Sequence, residues 1–199
     1  MVFLLALSVL GCNGPSSDSK RDTGKPSVSD ADVDVDTDAD SDDTGVAGCF
    51  DQEPRLEVGT GETTFEGLDE NDPVVMVHGP QGGWHMLGSV RTHNMETIIE
   101  VHYTITEEAT GVLVSDNTYR VAVVSDGDCT GYYPGMYGYL TVSELATADA
   151  TRPPELLGYN TVVMTMDVTD YGGRTASTSL RVLAEPDPID IPDGEDGAD

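Results

Sequence analysis

Between residues 46 and 184, apolar residues recur at every second position along several short segments. The sets that share one face are Ile99, Val101, Tyr103 and Ile105 in "TIIEVHYTI", Val162, Met164, Met166 and Val168 in "NTVVMTMDV", and Ala176, Thr178, Leu180 and Val182 in "TASTSLRVL". A period of two is that of a β-strand buried on one face, and turns rich in Gly, Asn and Asp separate these segments. The pattern predicts an all-β, antiparallel β-sandwich of about seven to nine strands.

The acidic residues are concentrated at the two ends of the chain. The protein has 37 Asp and Glu against 9 Lys and Arg, for a net charge of −28. Residues 13–45 hold ten acidic and three basic residues, and residues 185–199 hold seven acidic and no basic ones. Such a charge repels nucleic acid, so the class of nucleic-acid-binding proteins is excluded.

Both acidic ends lack aromatic residues and leucines, so they cannot bury enough apolar surface to offset the entropy of ordering. We therefore predict a disordered Asp-rich tether over residues 13–48 and a disordered acidic tail over residues 185–199. The sandwich domain is predicted between them, over residues 49–184. As a random coil, the tether spans roughly 30–35 Å.

The first twelve residues, "MVFLLALSVLGC", form an apolar run that ends at a small residue and a cysteine. This run is too short to span a bilayer but suits the core of a signal peptide. Val9-Leu10-Gly11-Cys12 resembles the lipobox of bacterial lipoproteins, which implies that Cys12 is lipidated and becomes the N-terminus. The resemblance places the protein in the cell envelope, anchored in the inner or outer membrane and facing the periplasm or the exterior.

Two further cysteines, Cys49 and Cys129, lie at the start and in the middle of the predicted domain. An exported protein enters an oxidising compartment, where two remaining thiols pair. We predict a Cys49–Cys129 disulfide that closes a long loop, with a stabilisation of about 4 kcal/mol on the chain-entropy model.

Aspartates occupy every second position from Asp30 to Asp42 in the tether. Counted from Asp32, carboxylates fall at the ligand positions of an EF-hand loop, but the position that requires Gly for the sharp turn holds Thr37. The favoured interpretation is a solvated spacer with no bound cofactor. Weak calcium association along the tether is the alternative.

Three of the four histidines and three of the seven methionines lie in "VVMVHGPQGGWHMLGSVRTHNM", residues 74–95. The segment reads as two strands joined by "GPQGG", with Met86 in the core. Because loops on rigid sandwiches commonly carry recognition, we predict a binding loop. Its residues are His78, Gln81, Trp84 and His85.

The same segment offers thioether and imidazole groups, which are the ligands that copper(I) prefers. "GGWHM" with "HNM" is similar to a segment of periplasmic copper(I) chaperones, in which His93-Asn94-Met95 matches the family's H-x-M. The resemblance implies a metal site. Its candidate ligands are His78, His85, His93 and Met95.

The chain lacks the G-x-S-x-G, H-E-x-x-H and Walker motifs, and no catalytic residue is predicted. Two carboxylate pairs, Asp126 with Asp128 and Asp167 with Asp170, lie in turns where Asp is common. "YYPGMYGY" has a composition that suits carbohydrate or protein contact surfaces. Its tyrosines are Tyr132, Tyr133, Tyr137 and Tyr139.

The closing stretch "MTMDVTDYGGRTASTSLRVL" resembles the last hairpin of immunoglobulin-like and fibronectin-like domains. From "LEVGTGETTFEGL" through "HGPQGGWHM" to that hairpin, the chain resembles uncharacterised lipoproteins of myxobacteria and their relatives. Together these features predict a non-enzymatic envelope lipoprotein that presents a binding or structural module on an acidic stalk. Its partners would be the membrane, through the lipid, and a protein or carbohydrate. The alternative is a periplasmic copper(I)-binding lipoprotein.

Overall fold

The structure is a computed structural model, and it describes residues 48–191. The predicted signal peptide, the lipidated Cys12, the Asp-rich tether up to residue 47 and the end of the acidic tail lie outside the described residues. Within residues 48–191, no helix is both long enough and apolar enough to cross a bilayer.

Ten strands and one short helix make up the described part of the chain. The strands are β1 (Arg55–Thr60), β2 (Glu66–Gly67), β3 (Pro73–His78), β4 (Trp84–His93), β5 (Ile98–Glu107), β6 (Leu113–Ala122), β7 (Val124–Ser125), β8 (Thr130–Tyr139), β9 (Thr161–Asp170) and β10 (Thr175–Pro186). Helix α1 is Pro153–Leu157, and a 3₁₀ turn covers Pro188–Asp190. The all-β class is confirmed, and eight strands have six or more residues.

The strands form one hydrogen-bonded sheet that folds over on itself into two layers. One layer has the order β3-β10-β9-β5-β6, and the other contains β2, β1, β4, β8 and β7. Strand β3 joins the layers along one side, because it pairs with both β10 and β4. All ladders are antiparallel except β3 with β10, which run parallel. These two strands are far apart in sequence, so no crossover connection constrains their direction.

On the opposite side, β6 and β8 approach each other and form what we call the seam. The amide of Thr141 donates to the carbonyl of Val114 at 2.7 Å. The hydroxyl of Tyr119 on β6 donates to the carbonyl of Tyr137 on β8 at 2.6 Å. The sandwich is thus held along both of its long sides.

The core lies between the two layers and follows the predicted alternation. The predicted inward faces of β5 and β9 are buried in full, and burial along β10 increases toward Val182. Five methionines fill the space: Met76, Met86, Met136, Met164 and Met166. Flexible thioethers fill irregular gaps, and they take this role here because the buried residues include only one Leu and no Phe.

Tyr103 crosses the core from β5 to the opposite layer. A Cβ atom placed on Gly88 would lie 2.7 Å from its ring, and one placed on Gly138 would lie 2.9 Å from it. Because Gly88 and Gly138 have no side chains, they leave the space that the Tyr103 ring occupies.

The predicted tail over residues 185–199 is wrong at its start. Glu185 and Pro186 belong to β10 and pair with β3, and the 3₁₀ turn follows. Asp187 and Asp190 accept hydrogen bonds from the β3–β4 hairpin. The prediction of disorder, which rested on acidic composition, did not take these contacts into account. The sandwich domain extends to residue 191.

Helix α1 was not anticipated from the sequence. It begins after Arg152 with two prolines, which suit the first helical turn because they need no amide partner. The carboxylate of Glu155 accepts the amides of Thr151 and Arg152 at 2.9 and 3.0 Å, and these bonds lower the pKa of Glu155 to about 2. Leu157 is buried and anchors the helix to the core.

Candidate functional site

The β3–β4 hairpin is closed by the loop over residues 79–83. The amide of Gly79 donates to the carbonyl of Gly83 at 2.7 Å, and the amide of Gly82 donates to the carbonyl of Gly79 at 3.0 Å. Gly82 has φ +85°, a left-handed conformation that favours glycine. Gln81 is exposed at the tip, as a binding loop would require.

His78 and Trp84 face each other across the hairpin and stack, with ring centroids 4.4 Å apart and planes at 19°. The indole nitrogen of Trp84 donates to Oδ2 of Asp190 at 2.7 Å, and Nδ1 of His78 lies 3.2 Å from Oδ1 of the same carboxylate. The Asp190 side chain is only 6% exposed. His78 and Trp84 are therefore occupied by the chain's own C-terminal segment.

His85 points to the other side of β4, where it meets two tyrosines of β8. Its ring centroid lies 4.7 Å from that of Tyr137 and 6.1 Å from that of Tyr139, both at steep angles. The two tyrosine rings lie 5.8 Å apart and nearly parallel, at 14°. We call these three residues the aromatic platform. Burial disfavours the charged imidazole and lowers the pKa of His85 below the usual value for a histidine.

The platform is open to solvent, since Tyr137 is 38% exposed and Tyr139 is 58% exposed. Isolated exposed apolar residues are ordinary, but contiguous apolar patches mark contact surfaces. The residues predicted for the binding loop thus lie in two different clusters. His78 and Trp84 belong with Asp190 to a structural cluster that we call the clamp, and His85 belongs to the platform.

A shallow groove of about 280 Å³ runs beside Tyr139 along the seam, bordered by residues 113–117 and Thr141. Within it, the side-chain amide of Asn117 donates to Oγ of Ser115 at 2.7 Å. We call this feature the seam groove. Ser115 and Asn117 were missed by the sequence reasoning, because nothing in "LVSDNTYR" shows that β6 lies beside β8.

The four candidate copper ligands are not gathered at one place. His78 is in the clamp, and His85 is in the platform. His93 is eight residues further along β4, about 26 Å from His85 at the rise of a strand, where its Nε2 lies 2.7 Å from a carboxylate oxygen of Glu57. Met95 is buried near the disulfide. Residues 48–191 contain no group of three His, Cys, Asp or Glu side chains arranged to hold a metal ion.

The predicted Cys49–Cys129 disulfide is confirmed, with the two Cα atoms 5.2 Å apart. It fixes the start of the domain to the β7–β8 turn. A cleft of about 520 Å³ lies beside it, and its lining includes the exposed side chains of Phe50, Ile98 and Tyr171. The guanidinium of Arg174 donates to the backbone carbonyls of Asn94 and Gln52, so it links the β9–β10 turn to two other segments at this end of the sandwich.

Three of the four carboxylates in the pairs Asp126–Asp128 and Asp167–Asp170 are bonded within the fold, and both members of the second pair lie in β9. Their partners are Nη2 of Arg91 for Asp126 at 2.8 Å, Oγ of Ser177 for Asp167 at 2.6 Å, and the amides of Glu96 and Arg174 for Asp170 at 3.2 and 2.8 Å, while Asp128 is exposed. Asp170 is buried and organises the β9–β10 turn. Each of the three bonded carboxylates therefore has a structural role of its own.

The fold and its surface define a disulfide-bonded β-sandwich that displays an aromatic patch. No protein-family model matches the chain, and no curated protein matches it. Among solved structures, the chain is similar to the CooA pilin subunit from enterotoxigenic Escherichia coli, with a TM-score of 0.32 and 10% sequence identity. The match covers 66% of this chain and 99% of the pilin subunit. A likeness at this level carries no functional argument.

Proposed function

We propose that the protein is a non-enzymatic, lipid-anchored envelope protein whose β-sandwich is a binding module carried on an acidic stalk. The observation that carries the proposal is the aromatic platform: two exposed tyrosine rings and the half-buried ring of His85 lie in contact on the sheet surface. Aromatic side chains lose little conformational entropy on binding, because their rings have few rotatable bonds. A cluster already held in contact loses still less.

The proposed location has two supports. The disulfide is of the kind that persists in oxidising compartments outside the cytoplasm. The residues Val9-Leu10-Gly11-Cys12 resemble a lipobox, and the Asp-rich tether after them would hold the module away from the membrane.

The test is retention of the protein by envelope material. The full chain carrying Cys12→Ser, exported so that its disulfide forms, is mixed with envelope fragments of the producing bacterium and sedimented. We expect the protein to be retained, and the double variant Tyr137→Ser/Tyr139→Ser to lose at least about tenfold in affinity, or 1.4 kcal/mol. The matched control is Tyr171→Ser, which changes a tyrosine 74% exposed at the other end of the sandwich. Equal retention of all three proteins would contradict the proposal.

A copper(I)-binding lipoprotein stays the alternative prediction. Its four candidate ligands are not gathered at one place in the described part of the chain.

A further inference from the structure

We propose that the aromatic platform and the seam groove together form one site for a neutral saccharide. This inference rests on the proposed binding function and names its ligand class. The site combines two features that saccharide recognition requires: flat aromatic surface for the C–H faces of a sugar ring, and polar groups at its edge for the hydroxyls.

The aromatic part is the Tyr137–Tyr139 pair. The two rings stack nearly parallel, with centroids 5.8 Å apart, so the face of Tyr139 turned away from Tyr137 is the one on which a sugar ring can pack. The negative face of an aromatic ring attracts the weakly positive C–H groups of a pyranose. Tyr139, the more exposed ring, also borders the seam groove, so a sugar stacked on it has its edge over the groove.

The polar part is the groove itself. Asn117 uses one side-chain N–H for Ser115, which leaves its second N–H and its carbonyl oxygen for a ligand. Among the described residues, β6 pairs only with β5, so its backbone on the seam side has no ladder partner between the bonds at Val114 and Tyr119. The groove thus presents both donors and acceptors, which is the pattern that sugar hydroxyls need.

The charges around the site select a neutral ligand. No Lys or Arg lines the groove, and a net charge of −28 repels anionic sugars. The groove's carboxylate, Asp116, is hydrogen-bonded to His102 at 2.8 Å on the outer side of β6, so it is already engaged. His85, whose pKa is lowered, is neutral at neutral pH and adds no positive charge to the platform.

The site is also preorganised. The bond from the Tyr119 hydroxyl to the carbonyl of Tyr137 spans the seam and fixes β8 relative to β6. Between the two platform tyrosines, Gly138 packs directly against the core side chains of Tyr103 and Ile105. Rigid placement lowers the entropy lost when a ligand binds.

The experiment is calorimetric titration of the full chain carrying Cys12→Ser with three probes. Two are neutral, maltohexaose and the hexamer of N-acetylglucosamine, and one is anionic, a galacturonic acid hexamer. We expect a dissociation constant below about 1 mM for at least one neutral probe and none for the anionic probe. Tyr139→Ser should weaken binding by at least about tenfold, while Tyr139→Phe, which keeps the ring, should bind within about threefold of the wild type. Tyr171→Ser is the control for surface exposure, and urea unfolding verifies that each variant is folded.

The inference is overturned if neither neutral probe binds with a dissociation constant below about 1 mM, if the anionic probe binds more tightly, or if Tyr139→Ser binds as well as the wild type. The envelope experiment separates this failure from failure of the proposed function. Tyrosine-dependent retention that protease treatment of the fragments abolishes would indicate a protein partner: the saccharide would be wrong and the binding function would stand. Retention that does not depend on the tyrosines would contradict both the saccharide site and the proposed binding function of the platform.

Discussion

The indole N–H of Trp84 donates a 2.7 Å hydrogen bond to Asp190, a residue 106 positions later in the chain. The other oxygen of that carboxylate meets His78, which stacks on the same indole. One acidic residue, placed just after the last strand, thus joins the C-terminal segment to the β3–β4 hairpin. The clamp closes one end of the sandwich and leaves His85, on the opposite side of β4, free for the platform.

Replacement of Asp190 is the direct test of this clamp. In Asp190→Ala the half-buried indole N–H loses its carboxylate acceptor, and the loss of a hydrogen bond to a charged group costs about 1.5–3 kcal/mol. We expect the free energy of unfolding in urea to fall by that amount. Asp128→Ala, which changes an exposed turn carboxylate, is the control and should change it by less than about 0.5 kcal/mol. Equal stability of the two variants would show that the clamp contributes nothing.

Tyr103→Phe should stabilise the protein. The Tyr103 hydroxyl is buried and has no hydrogen-bond partner among the described residues, so the fold bears its desolvation without compensation. Removing the hydroxyl keeps the ring in contact with Gly88 and Gly138 and should raise the free energy of unfolding by about 1 kcal/mol. Tyr119→Phe, which loses the bond to Tyr137, should instead lower it by about 0.5–1.5 kcal/mol. A loss of stability in Tyr103→Phe would indicate a partner for the hydroxyl.

Gly138→Ala tests the close approach of the two layers. The added Cβ would lie 2.7 Å from Cδ1 of Ile105 and 2.9 Å from the Tyr103 ring, both buried side chains with little freedom to move. Overpacking of this kind costs about 1–3 kcal/mol. Gly83→Ala, whose Cβ would meet nothing within 4 Å, is the matched control. Thermal unfolding of both variants distinguishes packing from a general effect of replacing glycine.

The sequence predicted the parts of the fold that local periodicity determines. The alternation in "TIIEVHYTI" placed Ile99, Val101 and Tyr103 on the buried face, and all three are buried. Parity of the cysteines and export predicted the disulfide, which is present. The first inference uses only the order of neighbouring residues, and the second uses only the number of cysteines and the expected export.

What the sequence did not show depends on contacts between distant segments. The parallel pairing of β3 with β10 and the seam between β6 and β8 join strands with no local signal for partnership. The segment over residues 185–191 has the composition of a tail, yet two of its aspartates find donors on a hairpin more than a hundred residues earlier. For the same reason, the histidines that are close together in the sequence were predicted to share a site, but the strands place their side chains against different partners.

Stability should depend on pH through His85. Burial against the platform tyrosines disfavours the charged imidazole, so the pKa of His85 is lower in the folded protein than the value of 6.5 expected for the unfolded chain. Between the folded pKa and 6.5, the unfolded state binds more protons at this residue, so stability rises with pH in that window. The contribution of neutral His85 is complete above 6.5 and is lost as the pH falls toward the folded pKa.

The measurement is the difference in unfolding free energy between the wild type and His85→Gln, followed from about pH 7.5 down to about pH 4.5. The other titrating groups are common to both proteins and cancel. We expect the advantage of the wild type to shrink as the pH falls through the window, since glutamine carries no titrating proton. His102→Gln, which replaces an exposed histidine on β5, is the control for histidine replacement in general. An advantage for the wild type over His85→Gln that grows on acidification would mean that protonated His85 is stabilised in the fold. Such a result would contradict a neutral platform.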